Sequence, residues 1–307
     1  MSRNATIHPQ AGASLLVYPL RLAAQSFMLS REAMDCTPST LVWYRQYINA
    51  LITFLEGRNI KELSEITPDL LRRYLVDLKT RKLAPTTIHH HASAARSFFN
   101  FLCDDGLLVE NPMRRVAMPR LPKEIKPAFT PEDVHRLLDG CQNARDRALV
   151  LCLLDSGARA SEFCALTVGD VDLANGAVSI RQGKGRKDRV AFLGRKAGQA
   201  LTRYLLERGP REPDSPLWLS IKGNALTTCG LRQMLERLAK RSGVAHCHPH
   251  TFRRTCALWS LRAGMSIYHL QSMLGHSDLS VLRRYLALVE GDLKEAHRKH
   301  GAVDSLL

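Results

Sequence analysis

The sequence predicts a mainly α protein in two parts, with a small antiparallel β-sheet set into the second. Three observations carry this. Apolar residues recur at helical spacing behind Thr-Pro or Ser caps through most of the chain. A proline-rich basic stretch, NPMRRVAMPRLPKEIKPAF (111–129), interrupts that pattern, and strand-like alternation is confined to about 171–193. At 307 residues the chain can hold two domains, each with its own core.

Taken in order, residues 1–13 read as a flexible segment, and residues 14–110 as a helical domain. ASLLVYPLRLAA, near the start, is a short apolar patch broken by Arg21, with poor flanks for a signal peptide. TPSTLVWYRQYINALITFLEG (37–57) is a helix stopped at Gly57. TPDLLRRYLVDLKTR (67–81) repeats the device, with Thr67 as cap and Pro68 at the first helical position. APTTIHHHASAARSFFNFLCDDG (84–106) is a third helix that turns Phe98, Phe99, Phe101 and Leu102 to a core. Its histidines at 89–91 read as a solvated or phosphate-facing surface rather than a metal tract. The prolines of 111–129 lack N–H donors and bias their predecessors away from helix, so this stretch reads as an extended linker. The second domain, 130–307, opens on TPEDV, another Thr-Pro cap with acids in its first turn. RALVLCLLDSGA (147–158) is a buried helix. Asn175-Gly176 marks a tight turn, AVSIRQ and RVAFLG alternate like paired strands, and GKGRKD between them is a flexible basic tip. Helical patterns resume near residue 196.

Lys and Arg number 44 against 29 Asp and Glu, a net charge of +15, which suits a polyanionic partner that releases counterions from phosphates. A merely basic soluble protein fits the charge equally well. No apolar run is long enough to span a bilayer, and no strongly basic amphipathic anchor appears. The eight cysteines form no CxxC pair and sit mostly in apolar surroundings, as expected in a reducing compartment. HCHPH (246–250) is too compact to close a tetrahedron, so no metal is expected there.

Four separated clusters carry reactive side chains: DSGARASEFCAL around Arg159; the hairpin tip with Lys184 and Lys187; HPHTFRRTCALW, with His250 and Arg253 on one helix face; and LGHSDLSVLRRYL, with His276 and Tyr285. Each alone is weak. A helical tyrosine is usually half-buried packing, and His276 after Leu-Gly also suits a helix cap.

In their order, SGARASE, GKGRKDR, HTFR and LGHSDLS…Y resemble the motifs of the tyrosine recombinases, the phage integrase family, and of its Xer-like two-domain members in particular. The resemblance covers nearly the whole chain. It implies a SAM-like helical core-binding domain followed by an α+β catalytic domain, and a site-specific recombinase that cuts and rejoins duplex DNA through a 3′-phosphotyrosyl bond without metal, ATP or other cofactor. Arg159 and Arg253 would grip the scissile phosphate, and Glu162 would orient Arg159. Lys184 falls on the hairpin lysine that protonates the leaving oxygen, with Lys187 as its rival. His250 and His276 occupy the two histidine positions, and Tyr285 that of the nucleophile. Arg254 stands where many relatives carry another histidine. DNA contacts are expected from Lys187, Arg254, Arg284, His89, His90 and Arg96. The expected partners are paired inverted-repeat-type DNA sites, three further copies of the chain, and an accessory recombinase or directionality factor. A tail from about 288 would dock on a neighbouring protomer, and the expected location is the cytoplasm, at the nucleoid. The alternatives are a type IB-like topoisomerase and a DNA-binding architectural protein without catalysis.

The residue types suit that chemistry. Two guanidiniums can donate charge-assisted bonds to non-bridging phosphate oxygens and stabilise charge that develops in a partly dry site. A tyrosine with an ordinary pKa of about 10 needs neighbouring cations or a base before it attacks at neutral pH.

Overall fold

The structure is a computed structural model that describes residues 19–121, 127–181, 188–209 and 211–275. The chain separates into two compact units, Met1–Glu124 and Ile125–Leu307.

Among the described residues, four α-helices build the first unit: α1 (Leu20–Ala33), α2 (Pro38–Glu56), α3 (Pro68–Thr80) and α4 (Pro85–Asp104). Proline opens the last three, where its missing N–H costs nothing. The Thr37 and Thr67 hydroxyls accept from Thr40 and Leu70 N–H at 3.3 and 3.2 Å. Helix α1 goes beyond the apolar patch read from the sequence. Leu20, Ala23, Ala24 and Phe27 bury one face, while Arg21 turns out to Glu56 at 2.6 and 2.8 Å. Phe98, Phe99 and Leu102 are fully buried, Phe98 packing edge-on to Phe27, and Phe101 is partly buried.

Two expectations change here. His91 is no surface residue: it lies in the core, with Nδ1 2.7 Å from the Tyr74 hydroxyl. Desolvation, reinforced by Arg81 and His90, pushes its ring down to about 4. His90 is exposed, and His89 Nδ1 donates to the Pro119 carbonyl at 3.0 Å. The linker reading also shortens. A 3-10 turn at Pro112–Arg115, capped by Asn111, buries Met113 and Val116 in the first core. Arg72 and Arg96 hold the Arg115 and Val116 carbonyls at 3.0 and 3.4 Å. Prolines prevent a helix, but they do not prevent burial of the apolar side chains between them.

The second unit comprises α5 (Pro131–Asp139), α6 (Ala144–Ser156), α7 (Ala160–Ala165), β1 (Val171–Asp172), β2 (Ala177–Ile180), β3 (Arg189–Phe192), α8 (Arg195–Arg208), α9 (Thr228–Ser242), α10 (Pro249–Arg262) and α11 (Ile267–Leu274). Its three described strands pair antiparallel in sequence order, with Val178 opposite Ala191. Between β1 and β2, the left-handed Gly176 (φ 68°) makes the predicted turn, and Asn175 donates to Asp172 at 2.6 Å. Helix α6 is buried on several sides by α8 and α10. Trp218 stacks between Phe163 of α7 and Tyr204 of α8, with centroids 4.9 and 5.5 Å apart, so α7 is anchored to the core. The fold class is the one the sequence predicts.

Candidate active site

The site forms where α6 hands the chain to α7. Helix α6 stops at Gly157, which is left-handed (φ 55°). A Cβ there would lie 2.5 Å from Leu274 Cδ2 and 3.0 Å from Cys256 Sγ, so both the conformation and the close approach require glycine. Two residues on, Arg159 occupies the N-cap of α7. Glu162, at the third helical position, accepts the Arg159 backbone N–H at 2.9 Å, as in half of a capping box. The same carboxylate takes Arg159 Nη1 at 2.7 Å. The short spacing RASE thereby fixes the backbone and the side chain of Arg159 with a single acid.

Arg253, on α10, reaches the same place from another direction. Its Nη1 donates to the Gly157 carbonyl and its Nη2 to the Leu274 carbonyl, both at 2.7 Å. Arg159 Nη2 donates to the next carbonyl along, Gly275, at 3.0 Å. Two arginines 94 positions apart in the chain therefore grip consecutive carbonyls at the C-terminal end of α11. That end is electron-rich, because its last carbonyls lack helical partners.

A third arginine, unassigned in the sequence reading, completes the cluster. Arg189 opens β3 and binds both Glu162 oxygens, at 3.0 and 2.6 Å, while its Nε donates to the Met273 carbonyl at 3.0 Å. It closes the GKGRKDR motif, and the signal that marks it is a charge on the inward face of a strand, beside the buried Ala191.

Three guanidiniums thus surround one carboxylate. Burial pushes the Glu162 carboxyl up, but hydrogen bonds from Arg189 and Arg159 outweigh this and bring it down to about 2. Arg253 moves the other way. Burial and repulsion from Arg159 and Arg189 push it down to about 10, so it keeps its charge at neutral pH. Among the described residues its hydrogen-bond acceptors are carbonyls only. Buried charge without a counterion is unfavourable, and a bound anion would relieve it.

His250 lies one turn before Arg253 on α10, on the exposed side. Partial desolvation lowers its pKa, as do Arg253, Arg254, Arg232 and Arg159. The imidazole is neutral at pH 7 and able to take a proton. Arg254 is buried and touches Thr251 Oγ1 at 3.4 Å. Cys247 and Cys256 are buried packing residues, with Cys256 Sγ donating to the Asp155 carbonyl at 3.3 Å. The structure brings together Arg159, Glu162, His250 and Arg253. Lys184, Lys187, His276, Arg284 and Tyr285 lie outside the described residues, as do the segments 1–13 and 288–307.

Two family models match the chain. Residues 127–291 match the model of the phage integrase family, and residues 31–106 match the phage integrase N-terminal SAM-like domain. The chain is 33% identical to tyrosine recombinase XerC of Bacillus subtilis (strain 168) over 273 residues, 85% of this chain and 90% of that one. A lambda integrase dimer bound to a COC′ core site superposes with a TM-score of 0.74 at 16% identity, covering 89% of this chain and 78% of that one. XerH site-specific recombinase bound to difH superposes with a TM-score of 0.65 at 20% identity, covering 88% and 84%.

The fold, the cationic site and these relatives define a site-specific DNA recombinase. The chain belongs to the phage integrase family, the tyrosine recombinases.

Proposed function

We propose that this recombinase joins and exchanges DNA strands through Tyr285, with Arg159 and Arg253 as ligands of the scissile phosphate. The carrying observation is the surplus of positive charge at the end of α11. Three guanidiniums face one carboxylate, and Arg159 and Arg253 keep N–H donors beyond those spent on carbonyls. The Tyr285 oxygen attacks phosphorus, the new P–O bond replaces the bond to the 5′ oxygen, and the product is a 3′-phosphotyrosyl ester. His250 accepts the phenolic proton and Lys184 donates one to the departing 5′ oxygen. His276 donates a hydrogen bond to a phosphate oxygen. The reverse attack, by a 5′-hydroxyl from a second duplex, rejoins the strands without external energy.

Four copies on two inverted-repeat-type sites supply the two duplexes, and an accessory recombinase or directionality factor sets the outcome. The family relationship supports this assembly, and the DNA in the lambda integrase and XerH complexes supports DNA as the partner. The same relationship supports action on the nucleoid in the cytoplasm. A nicked suicide substrate, which loses its 5′-hydroxyl on cleavage, tests the chemistry. The expected result is a covalent protein–DNA adduct, lost in Tyr285→Phe and reduced about 10²-fold or more in Arg159→Ala and Arg253→Ala. An adduct that persists in Tyr285→Phe would overturn the assignment.

A further inference from the structure

We infer that Arg189 is a positioning residue for strand transfer. It occupies Glu162 so that Arg159 can act on phosphate as a net cation, and it fixes the last turn of α11 immediately before His276 in the chain. This rests on Arg159 being a phosphate ligand.

Arg189 is committed to protein partners, with three of its five N–H donors spent. Nη1 and Nη2 take the two Glu162 oxygens, Nε takes the Met273 carbonyl, and the side chain is 8% exposed. Whatever it contributes passes through the groups it holds. Glu162 is the first of these. Its two oxygens are shared between a bidentate pair with Arg189 and single bonds from the Arg159 backbone and Nη1. With Arg189 removed, Arg159 is the one guanidinium of the cluster still hydrogen-bonded to the carboxylate, and the stable arrangement is a bidentate Arg159–Glu162 pair. That pair draws Arg159 away from the Gly275 carbonyl and cancels its charge. In the intact cluster the three guanidiniums and one carboxylate sum to +2. Without Arg189 the sum is +1, and the weakened member is the one nearest Glu162.

The second group is the end of α11. Met273, Leu274 and Gly275 each give a carbonyl to a different arginine: Arg189, Arg253 and Arg159 in turn. Gly275 is left-handed (φ 65°), and a Cβ on it would lie 2.8 Å from Arg189 Cδ and 3.1 Å from its Nε. The Arg189 stem therefore lies flat against Gly275, the residue before His276 in the chain. Arg189 also opens β3, five positions after Lys184 in the chain. One side chain thus links the strand leaving the hairpin, the acid beside the first arginine and the helix end that precedes the second histidine.

The decisive measurement compares adduct formation on the suicide substrate with equilibrium binding to the same single site, in the full chain. Arg189→Met is expected to slow adduct formation by about 10²-fold while binding changes by less than about threefold, because most binding comes from other phosphate contacts. Arg189→Lys keeps the charge without the fork and is expected to recover part of the rate. In a Glu162→Gln background the Arg189→Met loss is expected to shrink to a few-fold, since no carboxylate remains to capture Arg159. A purely structural role predicts parallel losses in binding and rate, no recovery with Lys, and additive effects with Glu162→Gln; any of these overturns the inference. Should Arg189→Met melt early, the Lys variant and its combination with Glu162→Gln decide alone. If Tyr285→Phe and Arg159→Ala abolish the adduct but the Arg189 variants do not change it, only this inference fails. If Arg159→Ala leaves the adduct intact, the reading of the site fails first.

Discussion

His250 sits beside Arg253, Arg254, Arg232 and Arg159, and its depressed pKa has a kinetic consequence. A base must be unprotonated to accept the tyrosine proton, so the acid limb of the single-turnover cleavage profile is expected below pH 6.5. It should vanish in His250→Gln, which a pH series on the suicide substrate would check. Two buried groups, His91 and Glu162, set acid stability, each in its own window. His91 is held down to about 4, so as pH falls from 6.5 toward 4 the unfolded chain binds the proton first and the first unit loses up to about 3 kcal/mol. Denaturant unfolding between pH 7 and 4.5 should show this loss, and His91→Gln should reduce it. Glu162, held down to about 2, contributes its stability above 4.5 and loses it only as pH falls from 4.5 toward 2. At this scale the Arg159–Glu162 pair and the placement of His250 with Arg253 on one helix were legible in the sequence, because SGARASE and HTFR are local spacings. Arg189 was not, because its partners lie 27 and 84 positions away. Strand β3 also inverts the usual reading: Val190 and Phe192 face outward at 46% and 57% exposure, while Arg189 and Ala191 point in. Hydrophobic alternation locates such a strand but assigns its faces the wrong way round. His91 failed for a related reason. Three histidines in a row look polar, yet one position in the run must fall on the buried face of the helix.

Among the elements, α11 is short, only Ile267–Leu274, and gains its position from its ends rather than its length. Leu270 and Leu274 are fully buried against Cys256, Ala257 and Leu261 of α10. Its carbonyl end is held by the three arginines. Gly157 and Gly275 are the two points where this packing leaves no room for a side chain. Gly275→Ala is expected to cost about 1–2 kcal/mol in left-handed strain and to push Arg189 off Glu162, so cleavage should fall more than stability. Gly157→Ala carries the same strain plus a clash with Leu274, and should lower the denaturant midpoint further. Paired melts and adduct assays on the two variants separate these effects. The helices and the hairpin were readable from caps and glycines. The 3-10 turn at Pro112–Arg115 was hidden because its proline content argues for extension, whereas its burial depends on a core that local pattern does not reveal.

For the whole molecule, the surplus of 15 positive charges makes salt the first variable in any binding experiment. Affinity for a single DNA site is expected to fall by about 10³-fold or more between roughly 50 and 200 mM salt, through counterion release. Arg254→Ala should flatten that slope if this arginine meets a phosphate. Removing residues beyond 290 should impair exchange between paired sites far more than occupation of one site. An equal loss of both would count against the tail as a coupling device. The order of the chain has one more consequence. Among the described residues, the three arginines of the cationic cradle, Arg159, Arg189 and Arg253, all precede residue 276, and the proposed nucleophile, Tyr285, follows it. A chain ending at Gly275 would keep the cradle and lack the blade. Such a fragment is expected to settle on a target, leave it uncut, and act as a dominant poison when mixed with the intact enzyme.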